Sequence, residues 1–161
     1  MSHPFSLVQN TKLVEALAPA ADAAGRAGDY VTLKNTHKAF IVVHITQGNA
    51  ATVALTPYQA QNVAALNEKV IPAVPIWANQ DTGASDALVA QTAAANFTTS
   101  AAVKNKMVVF EIDPAVLDVN NGFDCLTVKT GASNAANITY ALFILAGQRY
   151  PQATPPTAIT D

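Results

Sequence analysis

The sequence predicts an all-β domain built as an antiparallel sandwich. Three C-terminal segments support this, because each alternates apolar and polar residues with the two-residue period of a strand: Lys106–Ile112, Phe123–Lys129 and Asn137–Ala146. Turn residues separate these segments at the spacing typical of β-sandwiches. No helical segment alternates with the strands, which disfavours a parallel α/β fold.

The N-terminal segment gives mixed signals. Residues 14–27 are rich in alanine, the best helix former, and so favour a helix by propensity. Pro19, Gly25 and Gly28 interrupt that stretch, and its apolar residues follow no helical period. We therefore expect a short strand over Lys12–Leu17, followed by a loop.

Two strands joined by a turn are expected next. Ala39–Thr46 (AFIVVHIT) is continuously apolar and rich in β-branched residues, which predicts a central strand covered on both faces. The turn Gln47–Ala50 contains Gly48 and Asn49, and a further strand is predicted over Ala51–Thr56. Together these features predict a β-hairpin.

The middle of the chain carries weaker signals. Thr56 followed by Pro57 is typical of the start of a short helix. Val70–Trp77 contains two prolines, which cannot donate to a ladder, so we expect an edge strand or a strap across the sheet. We predict a polar loop over Asn79–Asp86 and a short strand over Phe97–Thr99.

Alternation also assigns the side chains of the C-terminal strands to faces. The first of these strands places three apolar residues on one face: Val108, Phe110 and Ile112. The last does the same with four: Ile138, Tyr140, Leu142 and Ile144. Between the strands, Asn121-Gly122 predicts a tight hairpin turn, since both residues tolerate positive φ.

The chain divides into a body and two terminal arms. We expect an N-terminal arm over residues 1–11, one β-sandwich domain over residues 12–150, and an extended tail over residues 151–161. The tail, PQATPPTAITD, has three prolines and little to bury, so it should be poorly fixed in isolation. It is either an idle terminus or an arm that lies across a neighbouring subunit.

Charge is scarce along the whole chain. Charged residues make up 12% of the 161 residues, against roughly 25% in an ordinary soluble domain. Alanine, threonine, asparagine and glutamine replace them and lose their hydration easily at subunit contacts. The composition therefore favours a subunit of an assembly, with a neutral monomer surface as the alternative. A net charge of -2 with thinly spread basic residues disfavours nucleic-acid binding.

The sequence predicts synthesis in a reducing, cytosol-like environment. The single cysteine, Cys125, cannot form an internal disulfide, and we interpret it as a buried, inert thiol. The first ten residues do not match a signal peptide. No apolar run approaches the roughly 20 residues needed to span a bilayer, so no membrane partner is expected.

No set of side chains predicts catalysis, a cofactor or a metal site. His3 lies in the leader and His37 in a turn. His44, on the same strand face as Phe40 and Val42, is expected to be a hydrogen-bonded core or interface residue. No closely spaced histidine pair offers zinc ligands. We therefore expect that the protein is not an enzyme.

Acidic residues are the remaining candidates for chemistry. Glu111 and Asp113 would project from one strand face, and paired carboxylates serve acid–base chemistry on sugars. A strand that ends before Pro114 explains them more simply. Asp118–Asp124 resembles a calcium loop, but its glycine and its twelfth position do not match an EF-hand. We interpret it as a turn, with a weak cation site as the open alternative.

Two long segments resemble a known group of proteins. They are DAAGRAGDYVTLKNTHKAFIVVHITQGNAATVAL, residues 22–55, and NKMVVFEIDPAVLDVNNGFDCLTVKTGASNAANITYALFILAGQRY, residues 105–150. With their QGN turn and LDxxNGFD hairpin, these segments resemble small structural proteins of tailed bacteriophages and prophages, roughly over residues 13–150. The resemblance implies a virion component: a head decoration (cement) protein with a jelly-roll-like sandwich.

Proteins of this type commonly sit as trimers over the junctions between major capsid subunits. The resemblance therefore implies homotrimers bound to the major capsid protein on the capsid exterior, and it brings no catalytic residues. The alternatives are another phage structural part, such as a tail, head-fibre or adaptor subunit, and a carbohydrate-binding sandwich. The 7% content of aromatic residues, with one tryptophan, weighs against the last.

Interfaces of this kind are anchored by apolar and aromatic side chains. Six residues near a terminus, a loop or an irregular strap are the predicted interface anchors: Phe5, Tyr58, Trp77, Tyr150, Pro155 and Pro156. Ordinary core packing is the alternative role for each aromatic residue.

Overall fold

Two antiparallel sheets pack face to face in the computed structural model, which describes residues 6–148 and 154–160, and the sandwich prediction is confirmed. The larger sheet has six strands in the order β1 (Thr11–Ala21), β12 (Asn137–Gln148), β4 (Thr36–Gln47), β10 (Asn105–Ile112), β7 (Val74–Asn79) and β8 (Val89–Ala94). The smaller sheet has the order β2 (Arg26–Ala27), β11 (Cys125–Thr130), β5 (Ala54–Ala60) and β6 (Lys69–Val70). Two further short strands join it: β3 (Val31–Thr32) pairs with β11, and β9 (Phe97–Thr98) pairs with β5.

The strand order is that of a jelly roll. β2 and β3 lie along one side of β11, and β6 and β9 lie along one side of β5, so each pair counts as one interrupted strand. Of the resulting eight strands, the first, eighth, third and sixth form one sheet, and the second, seventh, fourth and fifth form the other. β7 and β8 are an excursion between β6 and β9 that widens the larger sheet.

Among the residues that the structure describes, helical structure is limited to single turns. α1 (Leu7–Asn10) lies within the predicted N-terminal arm, and β1 begins immediately after it at Thr11. Two 3-10 turns, Pro114–Val116 and Val119–Asn121, lie between β10 and β11. No helix in the described part of the chain has the length and apolarity of a membrane span.

The core lies between the sheets and follows the alternation of the strands. Val108, Phe110 and Ile112 are fully buried on the inner face of β10, as predicted. β4 is central, but the prediction that it is covered on both faces is wrong. Its inner residues, such as Ile41, are fully buried, whereas its outer residues, such as Phe40, stay half-buried because the smaller sheet packs on one side only.

Both predicted hairpins are wrong, although both turns exist. β4 and β5 belong to different sheets, as do β10 and β11, so each connection crosses the sandwich. The first connection is held by Asn137, whose side-chain oxygen accepts a hydrogen bond from the Asn49 backbone N–H at 2.8 Å. The second contains Gly122 at φ 78°, a left-handed conformation that suits glycine.

Other element predictions need correction. Thr56 and Pro57 start no helix; they lie within β5, which runs from Ala54 to Ala60. β1 continues past Leu17 through Pro19 as far as Ala21, with two irregularities in its register. β8 was not predicted. Val70–Trp77 was predicted to be an edge strand or a strap, and only Val70, in β6, lies at a sheet edge; Val74–Trp77 belongs to β7, an interior strand between β10 and β8, so that prediction is wrong there.

The described part of the tail folds back onto the domain, contrary to the expectation that it is poorly fixed. Ala158 is 5% exposed and belongs to the main core. Its carbonyl accepts a hydrogen bond from the Thr32 backbone N–H at 2.8 Å. Lys12 Nζ lies 3.5 Å from the carbonyl oxygen of Pro155. The tail thus lies beside β3 and β1 of its own chain, and Ala158 packs into the core there.

Candidate assembly surface

The outer face of the larger sheet carries a large set of apolar side chains. In β4 and β12 the residues between the core positions are also apolar, so both sides of the strands are hydrophobic. We define the outer face as the following residues: Leu13, Phe40, Val42, His44, Trp77, Met107, Val109, Ile138, Tyr140, Leu142 and Ile144.

Strand register gathers these side chains into rows. Val42 of β4 lies opposite Leu142 of β12 on one side and Val109 of β10 on the other. Val109 in turn lies opposite Trp77 of β7, so one apolar row crosses four strands. Parallel rows lie on either side: one contains Leu13, Ile144 and Phe40, the other Tyr140, His44 and Met107.

No second layer of the described chain lies over this surface. Ile138 is 43% exposed, Trp77 38% and Leu13 36%, and the remaining outer-face residues are half-buried by their neighbours in the sheet. Strand and residue spacings give these positions a span of about 24 Å by 20 Å, within which Glu15, Thr46 and Glu111 are polar. Contiguous exposed apolar patches on a protein surface are often functional.

The smaller sheet differs, because the chain itself covers part of its outer side. The loop after β5 folds back over this side, and Val63 and Ala65 pack against a small cluster that includes Tyr30 and the buried Cys125. The Tyr30 hydroxyl donates a hydrogen bond to Glu68 at 2.6 Å. Burial together with this bond raises the pKa of Tyr30 above its ordinary value. The uncovered apolar surface is therefore specific to the larger sheet.

Charged groups lie at the margin of the outer face. Lys38 Nζ lies 2.8 Å from Glu111 Oε1, and the Trp77 indole N–H donates to the other carboxylate oxygen at 3.4 Å. The hydrogen bond from Lys38 holds the pKa of Glu111 below its ordinary value. Glu15 projects opposite Leu142 from the edge strand β1. The row from Leu142 through Val42 and Val109 to Trp77 thus meets a charge only at Glu15, whereas the row of Phe40 ends at Glu111. An uncharged stretch of this kind costs less to desolvate.

The candidate carboxylate pair does not form a shared site. Glu111 is engaged by Lys38 and Trp77, as described above. Asp113 instead caps the following 3-10 turn, where its Oδ1 accepts a hydrogen bond from the Ala115 backbone N–H at 2.9 Å. Each carboxylate thus has a partner of its own.

The candidate cation loop is likewise occupied by protein groups. Asp118 accepts hydrogen bonds from Lys69 and from the Asn121 side chain, and these hold its pKa below the ordinary value. Asp124 lies 3.5 Å from Lys34. Within residues 6–148 and 154–160, no three His, Cys, Asp or Glu side chains cluster in a way that could hold a metal ion.

The predicted interface anchors lie in different places. Trp77 is on the outer face of the larger sheet. Tyr58 is on the smaller sheet, where it is half-buried and its ring centroid lies 4.4 Å from Lys129 Nζ. Pro155 and Pro156 are half-buried in the folded-back tail. Phe5 and Tyr150 lie outside the described residues, as does His3.

His44 lies on the outer face beside Phe40 and Val42, as the alternation predicted. Most other members of the surface were not predicted as interface residues, including Met107 and Val109. The available signal was the nearly continuous apolar sequence of β4 and β12, which shows that two faces are apolar without showing which of them the chain covers.

The sequence and the fold were compared with those of known proteins. No family model and no curated protein matches the sequence. Among solved structures, the crystal structure of the SPBc2 prophage-derived protein YomS is similar, with a TM-score of 0.49 and 8% sequence identity; the match covers 85% of this chain and 94% of that one. The function of this chain has to be inferred from its own surface.

Proposed function

We propose that this protein is a structural subunit of a tailed-phage virion, of the head decoration type, that binds and stabilises the shell formed by the major capsid protein. The observation that carries the proposal is the apolar outer face of the larger sheet, over which no layer of residues 6–148 and 154–160 is packed. A subunit that acts by adding buried contact area needs such a surface, and a chain that worked alone would gain nothing from it.

Composition supports the same role. With 12% charged residues, the chain has few groups that would resist desolvation at a subunit contact. The sequence resembles phage structural proteins, and for this reason we propose a virion and not another kind of assembly. The proposed role involves no catalytic step and no cofactor, and its site of action is the capsid exterior. Homotrimers, which the resemblance implies, are proposed for the form bound to the capsid and not for the free protein.

Quantitative mass spectrometry of purified virions tests the location. A decoration protein should be present in a copy number of the same order as the major capsid protein. A copy number of only a few per particle would indicate a tail, head-fibre or adaptor subunit instead. Absence from the particle, together with glycan binding by the isolated protein, would overturn a structural role.

Addition of the purified protein to capsids stripped of it tests the surface. Val109→Glu places a charge in the central apolar row and should abolish rebinding. Val119→Glu is the matched control, because Val119 is 55% exposed in a 3-10 turn away from the outer face, and it should rebind like the wild type. Both variants should keep the wild-type circular dichroism spectrum. Normal rebinding of folded Val109→Glu would show that the outer face is not the contact.

A further inference from the structure

The two edges of the larger sheet differ in how they discourage pairing with another chain. β1, at one edge, carries Lys12, Glu15 and Pro19 together with two register irregularities. Charges, proline and bulges are the devices that keep edge strands from pairing. β8, at the other edge, contains no charged residue and no proline, and no strand of the described chain pairs with its outer side.

β8 is also accessible along its length. Val89 is 59% exposed, the next four residues are exposed, and Ala94 is half-buried. The uncharged sequence extends well beyond the strand, over residues 87–103. Its register against β7 is regular over Val89–Gln91, and the one irregularity follows Gln91. A short, regular and neutral stretch of backbone is therefore free to extend the sheet.

We propose that β8 pairs antiparallel with β8 of a second copy of this chain, so that two larger sheets become one sheet about a two-fold axis. The absence of charge favours the second copy, because charges on a short edge strand that pairs with a copy of itself would lie near the like charges of that copy. The other sheet edges in the described residues fit less well, since β1 is protected and β6 has two residues. β8 against β8 is an isologous contact, so it closes at two copies.

The pairing would enlarge the proposed contact surface. Ala90 of β8 lies opposite Trp77 of β7, so the apolar row that crosses the outer face runs up to the new junction. The outer faces of the two copies would then form one continuous surface. This inference concerns self-association alone and does not depend on the capsid role.

Analytical ultracentrifugation of the full chain over a wide concentration range tests the proposal. Because the regular stretch is short, the wild type should form a dimer that dissociates on dilution. The double variant Val89→Lys/Gln91→Lys should weaken this dimer by about tenfold or more, since opposed lysines repel across the strand pair. The matched control, Ala101→Lys/Val103→Lys, adds the same charge at exposed positions outside β8 and should dimerise normally.

A charge exchange makes the test specific to β8. The variant Val89→Glu/Gln91→Glu should also be monomeric alone, whereas an equimolar mixture with the lysine variant should form heterodimers, because unlike charges then face each other. A monomeric wild type at every concentration would overturn the proposal. So would normal dimers of the lysine variant, or the failure of the folded lysine and glutamate variants to associate. Capsid rebinding is measured in a separate experiment, so the proposed function is tested independently of the β8 pairing.

Discussion

Asp22 is a fully buried carboxylate that joins three strands. It lies just beyond β1 and pairs with Arg26 of β2 at 3.0 Å, while the hydroxyls of Thr130 and Thr139 donate to its two oxygens. Arg26 also donates to the carbonyl of Thr139 in β12 at 2.7 Å. These four residues lie at or near strand ends, so the cluster fixes how the end of β1 meets β2, β11 and β12.

We predict that Asp22→Ala lowers the free energy of unfolding by about 3 kcal/mol, because it removes one partner from a buried ion pair and two hydroxyl acceptors. Urea denaturation monitored by circular dichroism measures the change. Asp86→Ala, at an exposed loop position, is the control and should change stability by less than about 0.5 kcal/mol. Equal effects of the two substitutions would show that the cluster contributes little.

Surface carboxylates set the acid stability of the fold. Four of them have a pKa below the ordinary value, chiefly because each accepts a hydrogen bond from a lysine: Glu68, Asp81, Glu111 and Asp118. Since the pKa is lower in the folded chain than in the unfolded chain, these contacts stabilise the fold above the unfolded pKa. Their contribution is lost as the pH falls through the folded pKa.

We therefore predict that the free energy of unfolding is nearly constant near neutral pH and falls as the pH drops below about 5. Urea denaturation at a series of pH values measures this curve. High salt should flatten it, because these pairs are partly exposed to solvent. Glu111→Gln should reduce the slope, and stability that rises on acidification would contradict the assignment.

At the scale of the elements, the turn before β11 depends on one backbone conformation. Gly122 has φ 78°, and an added Cβ would meet no atom within 4 Å, so the conformation rather than space constrains this position. We predict that Gly122→Ala destabilises the fold by about 1 kcal/mol through left-handed backbone strain. Gly122→Asn should cost less, because asparagine tolerates this region.

Thermal unfolding of these variants measures the effect. Gly83→Ala is the matched control: its added Cβ would make an ordinary contact at 3.5 Å with Asp81, and no unusual φ is required. It should leave the melting temperature nearly unchanged. A comparable loss in Gly83→Ala and Gly122→Ala would show that the left-handed conformation of Gly122 is not the cause, because the effect of an added Cβ on the entropy of the unfolded chain is stabilising.

The strands could be predicted where the burial of one face imposes an alternation of apolar and polar residues on the sequence. β10 and β12 were located within one or two residues for that reason. β8, with the sequence VAQTAA, was missed because it is exposed at a sheet edge and has no buried face to impose alternation. Pro57 was interpreted as a helix start, yet it lies in β5, where only the tertiary pairing with β11 determines the strand.

The connections show a different limit of sequence reasoning. Gly48 and Gly122 correctly marked turns, but the same turn residues serve hairpins and crossings between sheets. The strand with which the next strand pairs decides whether a hairpin or a crossing is formed. In this chain β5 and β11, which are far apart in the sequence, pair with each other. Local chemistry therefore predicted where the chain bends but not which sheet it enters.

For the molecule as a whole, the candidate surface could be predicted only in part. The alternation assigned Ile138, Tyr140, Leu142 and Ile144 to one face, and the structure places that face outward, opposite the core residues Ala141, Phe143 and Leu145. A strand that is apolar on both sides does not reveal which side its own chain covers. That choice follows from the packing of the smaller sheet.

Trp77 provides a spectroscopic probe of this surface, because it is the single tryptophan and is 38% exposed on the outer face. We predict that its fluorescence shifts to shorter wavelength, and that acrylamide quenches it less, when the outer face is covered in an assembly, since burial removes water from the indole. Trp77→Phe should abolish the signal while preserving the fold. Identical spectra of free and assembled protein would contradict coverage of this face.

The place of β1 in the larger sheet has a consequence for biosynthesis. β1 is made first among the strands, yet its one neighbour in that sheet is β12, which is made last. The sheet cannot close while the ribosome still holds the final strand, and pairings between such distant segments form slowly. In a chain cut short before residue 137, β1 would lack its neighbouring strand and β4 would be unpaired along one edge. The outer face is therefore complete only in a chain that has been made through its last strand.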